Sequence, residues 1–392
     1  MVVLVKIDQY NQPEARMDWI SIDKALTELA VRKQTLYAYV SRGLVRAKAD
    51  ESDPRRSLYS ASDVGKLKGR RRGARRRSEV AAGAIAWGEP VLESAISTVR
   101  DGQLIVRGRS IEQLAAKYTL EDMARLLWNA DDIPAPNPSR RTPGATPKAR
   151  AFTMLARRAA EDAPSLGRSP KALRADAWSI LFEFAHVLCG ESGKGAMHDR
   201  LARAWKLDAR GAHLIRRALV LMADHELNPS TFAVRIAAST GAPLAACMLS
   251  GLSTLAGPLH GEAPARALAQ LDQLTEAKNI AAEAKAMVAR GDQIAGWSHP
   301  LYPDGDIRAV NLLAALKPKP AIARALRALQ QETGDKPNCD AALAAMTREL
   351  GLPDDAPFSI FALARMAGWL AHAMEQREAG RIIRPRARYT GL

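Results

Sequence analysis

The chain has 392 residues, more than one hydrophobic core usually holds, so we expect two or three folding units. Hydrophobic residues account for 47% and charged residues for 25%, as in soluble globular proteins, and no stretch approaches the ~18 apolar residues that span a bilayer. The opening residues lack the apolar core of a signal peptide. We therefore expect a cytoplasmic protein with no membrane partner.

The net charge and the cysteines indicate which partners and which kinds of site to expect. The formal net charge is +15, and the first eighty residues hold 18 basic and 10 acidic residues, so +8 of that charge lies at the front. A positive field of this size attracts polyanions such as nucleic acid or phosphorylated cofactors. Cys189, Cys247 and Cys339 lack paired spacing, which indicates neither a disulfide framework nor a zinc site. We expect no bound metal.

Two short helical patterns lie near the front, at 22–30 and 34–42, on either side of a tight turn. Residues 44–59 then predict a β-ribbon with Asp53 to Arg56 at its tip, and 60–63 offer a cap for a third helix through Leu67. Helix, turn, helix, wing and helix is the order of winged helix-turn-helix DNA-binding domains. The stretch resembles the MerR-like or excisionase-like versions.

This resemblance implies that the second helix enters the major groove of duplex DNA. The implied contacts are Gln34, Thr35, Tyr37 and Ser41 on the helix, with Arg42, Arg55 and Arg56 on phosphates. The run 66–77 carries eight positive charges in twelve residues without an acid. It is either a solvated linker or a further set of phosphate contacts, and the two readings are compatible. We place the winged helix-turn-helix domain at 1–68 and a basic linker at 69–82.

The remainder, 83–392, is predicted to be mainly all-α. One short strand pair surrounds the turn at Asp101 and Gly102, and the proline-rich stretch 133–147 is predicted to be a surface loop. Ala, Leu, Arg and Glu then dominate, and β-branched alternation is absent. The predicted helices are 112–115, 120–128, 149–163, 169–188, 198–207, 210–224, 231–239, 244–255, 263–289, 310–315, 321–333, 339–350 and 357–378.

Three histidines lie in non-helical, Gly- or Pro-flanked segments near helix ends, where a side chain can face a cleft. They are His225, His260 and His299. A fourth polar segment, KPNCD at 336–340, begins a helix in the same way. Taken alone, Asp340 is an ordinary N-cap or first-turn acid.

Six segments, in order, resemble the citrate synthase family over nearly all of 83–392. They are DHELNPSTFAVR (224–235), GPLHG (257–261), GWSHPLYPDGDIRA (296–309), KPNCD (336–340), FALARMAGWLAH (361–372) and IIRPRARYTG (382–391). The resemblance implies a large helical domain built from 83–261 and 357–392, and a smaller helical domain at 262–356. A cleft between the two would close on the substrates.

The resemblance implies condensation of acetyl-CoA with oxaloacetate and water to give citrate and CoA, with no permanently bound cofactor. Asp340 matches the base that removes the methyl proton, His260 the donor to the enol oxygen, and His299 the donor to the oxaloacetate carbonyl. The substrate-binding residues implied are His225, Arg308, Arg365 and Arg384. The family's counterpart of Arg384 comes from a neighbouring subunit, which implies a homodimer.

The sequence departs from the family at the acyl-CoA side. His299 is followed by Pro-Leu-Tyr-Pro, which removes two expected cations that Arg290 could replace, and Ala341 and Ala342 stand where the family has aromatic residues. The alanines favour a longer acyl chain, as in 2-methylcitrate synthase acting on propionyl-CoA. The missing cations favour a non-catalytic transcription regulator that senses metabolites. A bifunctional protein would satisfy both sets of features.

Overall fold

The computed structural model describes residues 18–134, 142–190 and 195–391, except 30, 32, 42–43, 51–52, 54–55, 66–67, 69–91, 388 and 390. The chain divides into two compact units, 1–93 and 94–392. Two predicted DNA contacts, Arg42 and Arg55, lie outside the described residues, as does the basic linker 69–82. Of the charged run 66–77, only Lys68 is described.

The first unit holds short helices and a small antiparallel sheet. Its elements are β1 (Trp19–Ile20), α1 (Ile22–Leu29), α2 (Lys33–Ser41), β2 (Ala47–Ala49), β3 (Ser57–Ser60) and a helical stretch, α3, over 61–65. The strand order is β1-β3-β2. The helices and the β2–β3 ribbon agree with the elements predicted from sequence, whereas β1 was not expected. A core of Ala25, Leu29, Leu36, Val45, Tyr59 and Val64 holds the unit together.

The second unit opens with a three-stranded antiparallel sheet. Its strands are β4 (Ser97–Arg100), β5 (Gln103–Val106) and β6 (Arg109–Ser110), in that order across the sheet. Asp101 and Gly102 both have positive φ, 50° and 69°, as a tight two-residue hairpin requires. The predicted turn is therefore confirmed.

Fourteen helices follow in the described part of this unit, so the prediction of a mainly helical fold is confirmed. They are α4 (Ile111–Lys117), α5 (Leu120–Trp128), α6 (Pro147–Glu161), α7 (Pro170–Cys189), α8 (Met197–Ala204), α9 (Ala209–Met222), α10 (Pro229–Ser239), α11 (Leu244–Leu255), α12 (Ala263–Glu276), α13 (Ile280–Ala289), α14 (Ile307–Leu316), α15 (Pro320–Thr333), α16 (Cys339–Leu350) and α17 (Ala356–Ala379). One helix was predicted over 263–289, but the structure has two. Ala277 is extended, and Asn279 caps α13 by accepting a hydrogen bond from Ala282 N at 3.1 Å, so the chain restarts there.

Helix α17 is the central element of the second unit. It is buried along almost its whole length, and it packs against α5, α7, α9, α10 and α11. A helix that is apolar all round can be stable only inside a core. Any polar side chain on α17 is therefore held in a fixed, largely dry position, and two of them, Arg365 and His372, are fully buried.

Candidate active site

The loop between α9 and α10 carries His225. Asn228 ends the loop by capping α10, where its side chain accepts from Thr231 N at 3.1 Å, and Pro229 fits the first helical position. His225 is buried, and its Nε2 lies 2.9 Å from the Tyr302 hydroxyl. Burial, followed by the nearby Arg308, lowers the pKa of His225 well below its usual value, so the ring is neutral at pH 7.

The loop before α14 places His299 against His225. The two rings are nearly perpendicular, with centroids 5.1 Å apart. His299 Nδ1 accepts a hydrogen bond from Leu301 N at 3.2 Å, so in the neutral ring the proton sits on Nε2. Burial lowers the pKa of His299 to about 4, which keeps the ring neutral. His299 is therefore prepared to donate a hydrogen bond from Nε2.

The His299 loop is tied to the start of α16, where Asp340 lies. Ser298 N donates to Lys336 O at 2.9 Å, Asn338 N donates to Gly296 O at 2.8 Å, and Asn338 Nδ2 donates to Ser298 O at 3.0 Å. Gly296 has φ 85°, and a Cβ there would come within 2.8 Å of Ala341 N, so only glycine permits this approach. The two segments are therefore bound to each other, so the position of His299 is tied to that of Asp340.

Asn338, rather than Asp340, is the N-cap of α16. Asp340 is thus the first-turn acid of the two alternatives that the sequence allowed, and its N donates to the Asn338 side chain at 2.9 Å, so its carboxylate does not cap the helix. Burial raises the pKa of Asp340 to about 6, although the positive charge of Arg308 opposes that shift. A carboxylate with this pKa is ionised at pH 7 and is a stronger base than an ordinary aspartate.

Arg308 lies in the first turn of α14 and is bound by Asp306, the cap of that helix. Arg308 Nε and Nη2 donate to the two Asp306 oxygens at 2.9 and 2.7 Å. Asp306 also accepts from Cys339 N at 3.0 Å, which joins the starts of α14 and α16. Burial would lower the pKa of Arg308, but Asp306 raises it well above its usual value, so the guanidinium is permanently charged.

Helix α17 and the turn after α11 supply the other half of the site. Arg365 is buried, donates from Nε to Met222 O at 3.0 Å, and lies over the Phe361 ring at 4.9 Å. His260 Nε2 is 2.9 Å from the Ser230 hydroxyl, and its ring meets Phe361 edge-on with centroids 6.2 Å apart. Burial, followed by Arg365, lowers the pKa of His260 to about 4.

Six of the seven predicted catalytic and substrate-binding residues come together in this region. The pKa of His225 is lowered by four of them: Arg308, Arg365, His299 and His260. The charge of Arg308 also lowers the pKa of Asp340, against the effect of burial. The seventh, Arg384, lies exposed on the C-terminal tail. Its neighbour Ile383 is held by the Ser239 side chain at 3.1 Å, at the far end of α10 from Ser230. At 1.5 Å per residue those two ends are about 13 Å apart, so Arg384 lies away from this chain's own site.

The sequence did not indicate three residues that contact the predicted ones: Ser230, Tyr302 and Asp306. It also did not indicate Asp224, whose charge opposes the lowering of the Arg365 pKa by burial. Asp306 could have been found, because an acid two residues before a buried arginine at a helix start can cap the helix and pair with the charge. Ser230 and Tyr302 lie 30 and 77 residues from their histidine partners, and no local pattern connects them.

The predicted DNA-contacting residues lie on the first unit. Gln34 is exposed, Thr35 is half-buried, and Tyr37 is 49% exposed. Arg56 is exposed and pairs with Asp53 at 3.3 Å. The described surface therefore offers polar and aromatic groups on α2, while the arginine at the ribbon tip already has an acidic neighbour.

Neither a metal centre nor a membrane span is found in the part of the chain that the structure describes. No three His, Cys, Asp or Glu side chains converge there as possible ligands. None of the described helices is both long and apolar enough to cross a bilayer.

Residues 149–386 match the family model for the citrate synthase C-terminal domain. Relatives include citrate synthase 2 of Bacillus subtilis, 36% identical over 185 residues, covering 45% of this chain and 50% of the relative. Another is 2-methylcitrate synthase 1 of Corynebacterium glutamicum, 31% identical over 223 residues, covering 53% and 58%. The chain thus spans about half the length of the curated relatives it matches.

Solved structures share the fold of the second unit. Citrate synthase from Thermotoga maritima matches with a TM-score of 0.63 at 24% identity, over 78% of this chain and 94% of that one. Citrate synthase from Thermoplasma acidophilum, in a ternary complex with carboxymethyl coenzyme A and oxaloacetate, matches with a TM-score of 0.66 at 22% identity. That match covers 77% of this chain and 94% of the other.

Proposed function

Because the chain belongs to the citrate synthase family, we propose that its second unit condenses acetyl-CoA with oxaloacetate and water to give citrate and CoA. The observation that carries the proposal is that the charge of the buried Arg308 acts both on Asp340, a carboxylate of raised pKa, and on His225, the centre of the group of neutral imidazoles. The Thermoplasma acidophilum relative binds a CoA derivative and oxaloacetate together, which supports the same pair of ligands here. The chemistry needs no permanently bound cofactor, since the side chains supply the base and the donors.

In the proposed mechanism, the oxaloacetate half of the site binds two carboxylates and a ketone. Arg308 and Arg365 would take the carboxylates, because a guanidinium presents paired donors that match carboxylate geometry. His299 would donate from Nε2 to the ketone oxygen, with His225 beside it. This polarises the carbonyl carbon for attack.

The acyl half would generate the nucleophile. Asp340 takes a proton from the methyl group of acetyl-CoA, and His260 donates a hydrogen bond to the developing enol oxygen. The Ser230 hydroxyl donates its one hydrogen to Asn228 Oδ1 at 2.7 Å, so it accepts from His260 Nε2, 2.9 Å away, and the proton of the neutral His260 ring lies on Nε2. In the proposed reaction this N–H would turn from Ser230 to the enol oxygen. The enol carbon then bonds to the ketone carbon, and the ketone oxygen takes a proton from His299. Water hydrolyses the thioester to give citrate and the CoA thiol, and the proton held by Asp340 returns through solvent to His299.

We propose a large domain of 83–261 and 357–392 and a small domain of 262–356. Contacts among α12, α13, α15 and α16 support a separate small body, while α17 packs mainly within the large one. Helix α14 contacts α16 on one side and α4 and α9 on the other, so it is suited to be the joint. Closure about it would bring Asp340 toward His260 and exclude water.

We propose that a homodimer completes the site with Arg384. Each buried arginine already has a buried acid near it: Asp306 pairs with Arg308, and Asp224 acts on Arg365. A dicarboxylate adds two negative charges, so a further cation is required. The tail position of Arg384, away from its own site, supports delivery to the site of a second copy.

For the acyl chain we propose acetyl rather than propionyl. The alternative rests on Ala341 and Ala342 and on the relative named 2-methylcitrate synthase. Both alanines are almost fully buried, so their small side chains do not open onto a space for an additional methyl group in this structure.

The loss of cations on the CoA side is not offset by Arg290. Its guanidinium is bound by Glu283 at 3.3 Å and by Asp292 at 2.9 Å. Arg266, on α12, is a better candidate, because its Nε is buried with no hydrogen-bond partner in the described part of the chain. We expect weak CoA binding, which keeps the metabolite-sensing regulator as the alternative.

One assay separates these functions: release of free CoA thiol when the protein is mixed with oxaloacetate and either acetyl-CoA or propionyl-CoA. We expect release with acetyl-CoA, slower release with propionyl-CoA, and nearly none from the Asp340→Asn variant, which should still bind oxaloacetate. Losing a base costs roughly 10²–10⁴-fold in rate. No release with either thioester would remove the enzymatic proposal and favour the sensor.

For the first unit we propose DNA binding as a winged helix-turn-helix domain in a cytoplasmic protein. The order of α1, α2, the β2–β3 ribbon and α3, together with the concentration of positive charge before residue 80, supports the proposal. Binding of duplex DNA should weaken as salt rises, because phosphate contacts release counterions. Fluorescence anisotropy at several salt concentrations tests this, and an affinity independent of salt would contradict it.

A further inference from the structure

Behind His225 lies a buried chain of hydrogen bonds that the reaction itself does not use. Asp224, the residue before His225, is fully buried. Its carboxylate accepts a hydrogen bond from the Ser97 hydroxyl, and His372 Nε2 lies 3.3 Å from Oδ1 and 3.4 Å from Oδ2. Ser97 belongs to β4 and His372 to α17, so three distant segments of the chain meet at this acid.

Arg235 fixes the tautomer of His372. Arg235 Nη1 lies 3.2 Å from His372 Nδ1, and a guanidinium can only donate. Nδ1 must therefore accept, which places the proton of the neutral ring on Nε2, facing Asp224. Arg235 is held in turn by Glu375 at 2.6 Å and by Gln376 at 3.0 Å.

Ser97 fixes the other side of His225. Its oxygen accepts from Glu226 N at 2.9 Å, while its hydrogen goes to Asp224. Glu226 has φ 52°, a conformation that a non-glycine residue adopts only when its surroundings hold it there. The two residues that flank His225 are thus bound to one hydroxyl group.

Helix α17 packs directly against the loop that carries Asp224, His225 and Glu226. Gly368 N donates to Ala223 O at 3.1 Å, and a Cβ on Gly368 would lie 2.3 Å from Asp224 Oδ1. The loop can come this close only because the residue is glycine. The backbone from 223 to 226 is therefore fixed at successive residues, and His225 has little freedom to move.

From this geometry we propose that His372 and Ser97 are positioning residues which, through Asp224, hold the His225 ring in place for the substrate keto acid. The inference rests on the proposed function for the identity of that ligand. Both residues contact Asp224 and not the residues proposed to bind the substrate. Their effect passes through the loop, so it should appear in keto-acid binding and leave acyl-CoA binding unchanged.

The test compares variants that remove a hydrogen bond with variants that keep it. Ser97→Ala and His372→Leu remove the groups facing Asp224, whereas Ser97→Thr and His372→Gln retain a hydroxyl and an N–H donor. Leu370→Ala, a fully buried apolar change on the same helix, is the control for general destabilisation. Each full-length variant is measured for unfolding midpoint, kcat, and KM for oxaloacetate and acetyl-CoA separately.

We expect Ser97→Ala and His372→Leu to raise the KM for oxaloacetate roughly ten- to hundredfold, because small misplacements of a binding group have effects of that size. KM for acetyl-CoA should stay within about twofold, and the conservative variants should recover most of the loss. Leu370→Ala should lower the unfolding midpoint without changing KM for oxaloacetate. Equal KM changes in Ser97→Ala and Leu370→Ala at matched stability would overturn the proposal.

A second readout does not depend on turnover. With ¹⁵N-labelled histidine, the imidazole resonances of His225 should shift in Ser97→Ala and remain in place in Leu370→Ala. If the wild-type protein releases no CoA, the proposed reaction fails, while this spectrum still decides whether Ser97 positions His225. Unchanged His225 resonances in Ser97→Ala would overturn the positioning role whatever the enzyme does.

Discussion

Asp306 binds the Arg308 guanidinium through two hydrogen bonds, 2.9 Å at Nε and 2.7 Å at Nη2, and both side chains are almost fully buried. A buried cation without its partner is strongly unfavourable, because desolvation is no longer offset. The same acid joins α14 to α16 through Cys339 N. Asp306 therefore contributes to folding and, in the proposed function, to substrate binding.

We predict that Asp306→Asn lowers the free energy of unfolding by about 3–5 kcal/mol, the usual result of removing one partner of a buried ion pair. Denaturant unfolding at pH 7 measures it. Asp304→Asn, an exposed acid two residues away, should change stability by less than about 0.5 kcal/mol. Similar small effects in both variants would show that the Arg308 charge is satisfied in some other way.

The pKa of Asp340 sets a pH dependence for the proposed reaction. Burial raises that pKa to about 6, so the protonated, inactive form persists to a higher pH than in an ordinary aspartate. Below about pH 6, kcat/KM for acetyl-CoA should fall about tenfold per pH unit. His260 and His299, whose pKa values are lowered to about 4, stay neutral through this range. A profile that stays flat down to pH 5 would exclude Asp340 as the base.

Delivery of Arg384 by a second subunit predicts complementation between two inactive variants. Asp340→Asn and Arg384→Ala should each lose most activity when pure. When they are mixed under conditions that exchange subunits, each hybrid dimer has one site with both native residues. An equal mixture should then recover about a quarter of wild-type activity, since about half of the dimers are hybrid. Mixing without any recovery would place Arg384 outside the neighbour's site.

Ser230 is predicted to control the proton on His260. The Ser230 oxygen lies 2.9 Å from His260 Nε2, 2.7 Å from Asn228 Oδ1 and 3.3 Å from Trp369 Nε1. Ser230→Ala should lower kcat roughly 10- to 100-fold, because His260 loses the partner that fixes its tautomer, and oxaloacetate affinity should change little. Ser253→Ala, which removes an exposed hydroxyl bonded to Leu249 O, is the matched control. Equal kcat in the two variants would contradict the role.

Local signals predicted most of the helices and the segments that carry the site. Two helix-start patterns lie beside the site: Asn228 followed by Pro229 at α10, and Asn338 at α16. His225 and Asp340 each lie within three positions of one of these caps. The break between α12 and α13 was missed because helical periodicity continues across it, and only the turn at Ala277 and the Asn279 cap interrupt it.

The buried polar chain could not be predicted. Asp224 meets residues 127 positions before it and 148 after it, and the direction of each hydrogen bond depends on the packing of α17 against the loop. His372 shares a helix face with Arg365, and periodicity alone indicates a packing role for it. The structure shows instead that its ring donates to an acid, with a tautomer that Arg235 sets.

The part of the chain matched by the family model begins at residue 149, yet the hydroxyl group that binds Asp224 belongs to Ser97, and Ala95 N donates to Glu375 at 2.8 Å. A fragment cut at the start of the matched region would keep every proposed catalytic side chain but lack both of these ties. The smallest piece that preserves the geometry around His225 therefore begins near residue 94, where the second unit itself starts.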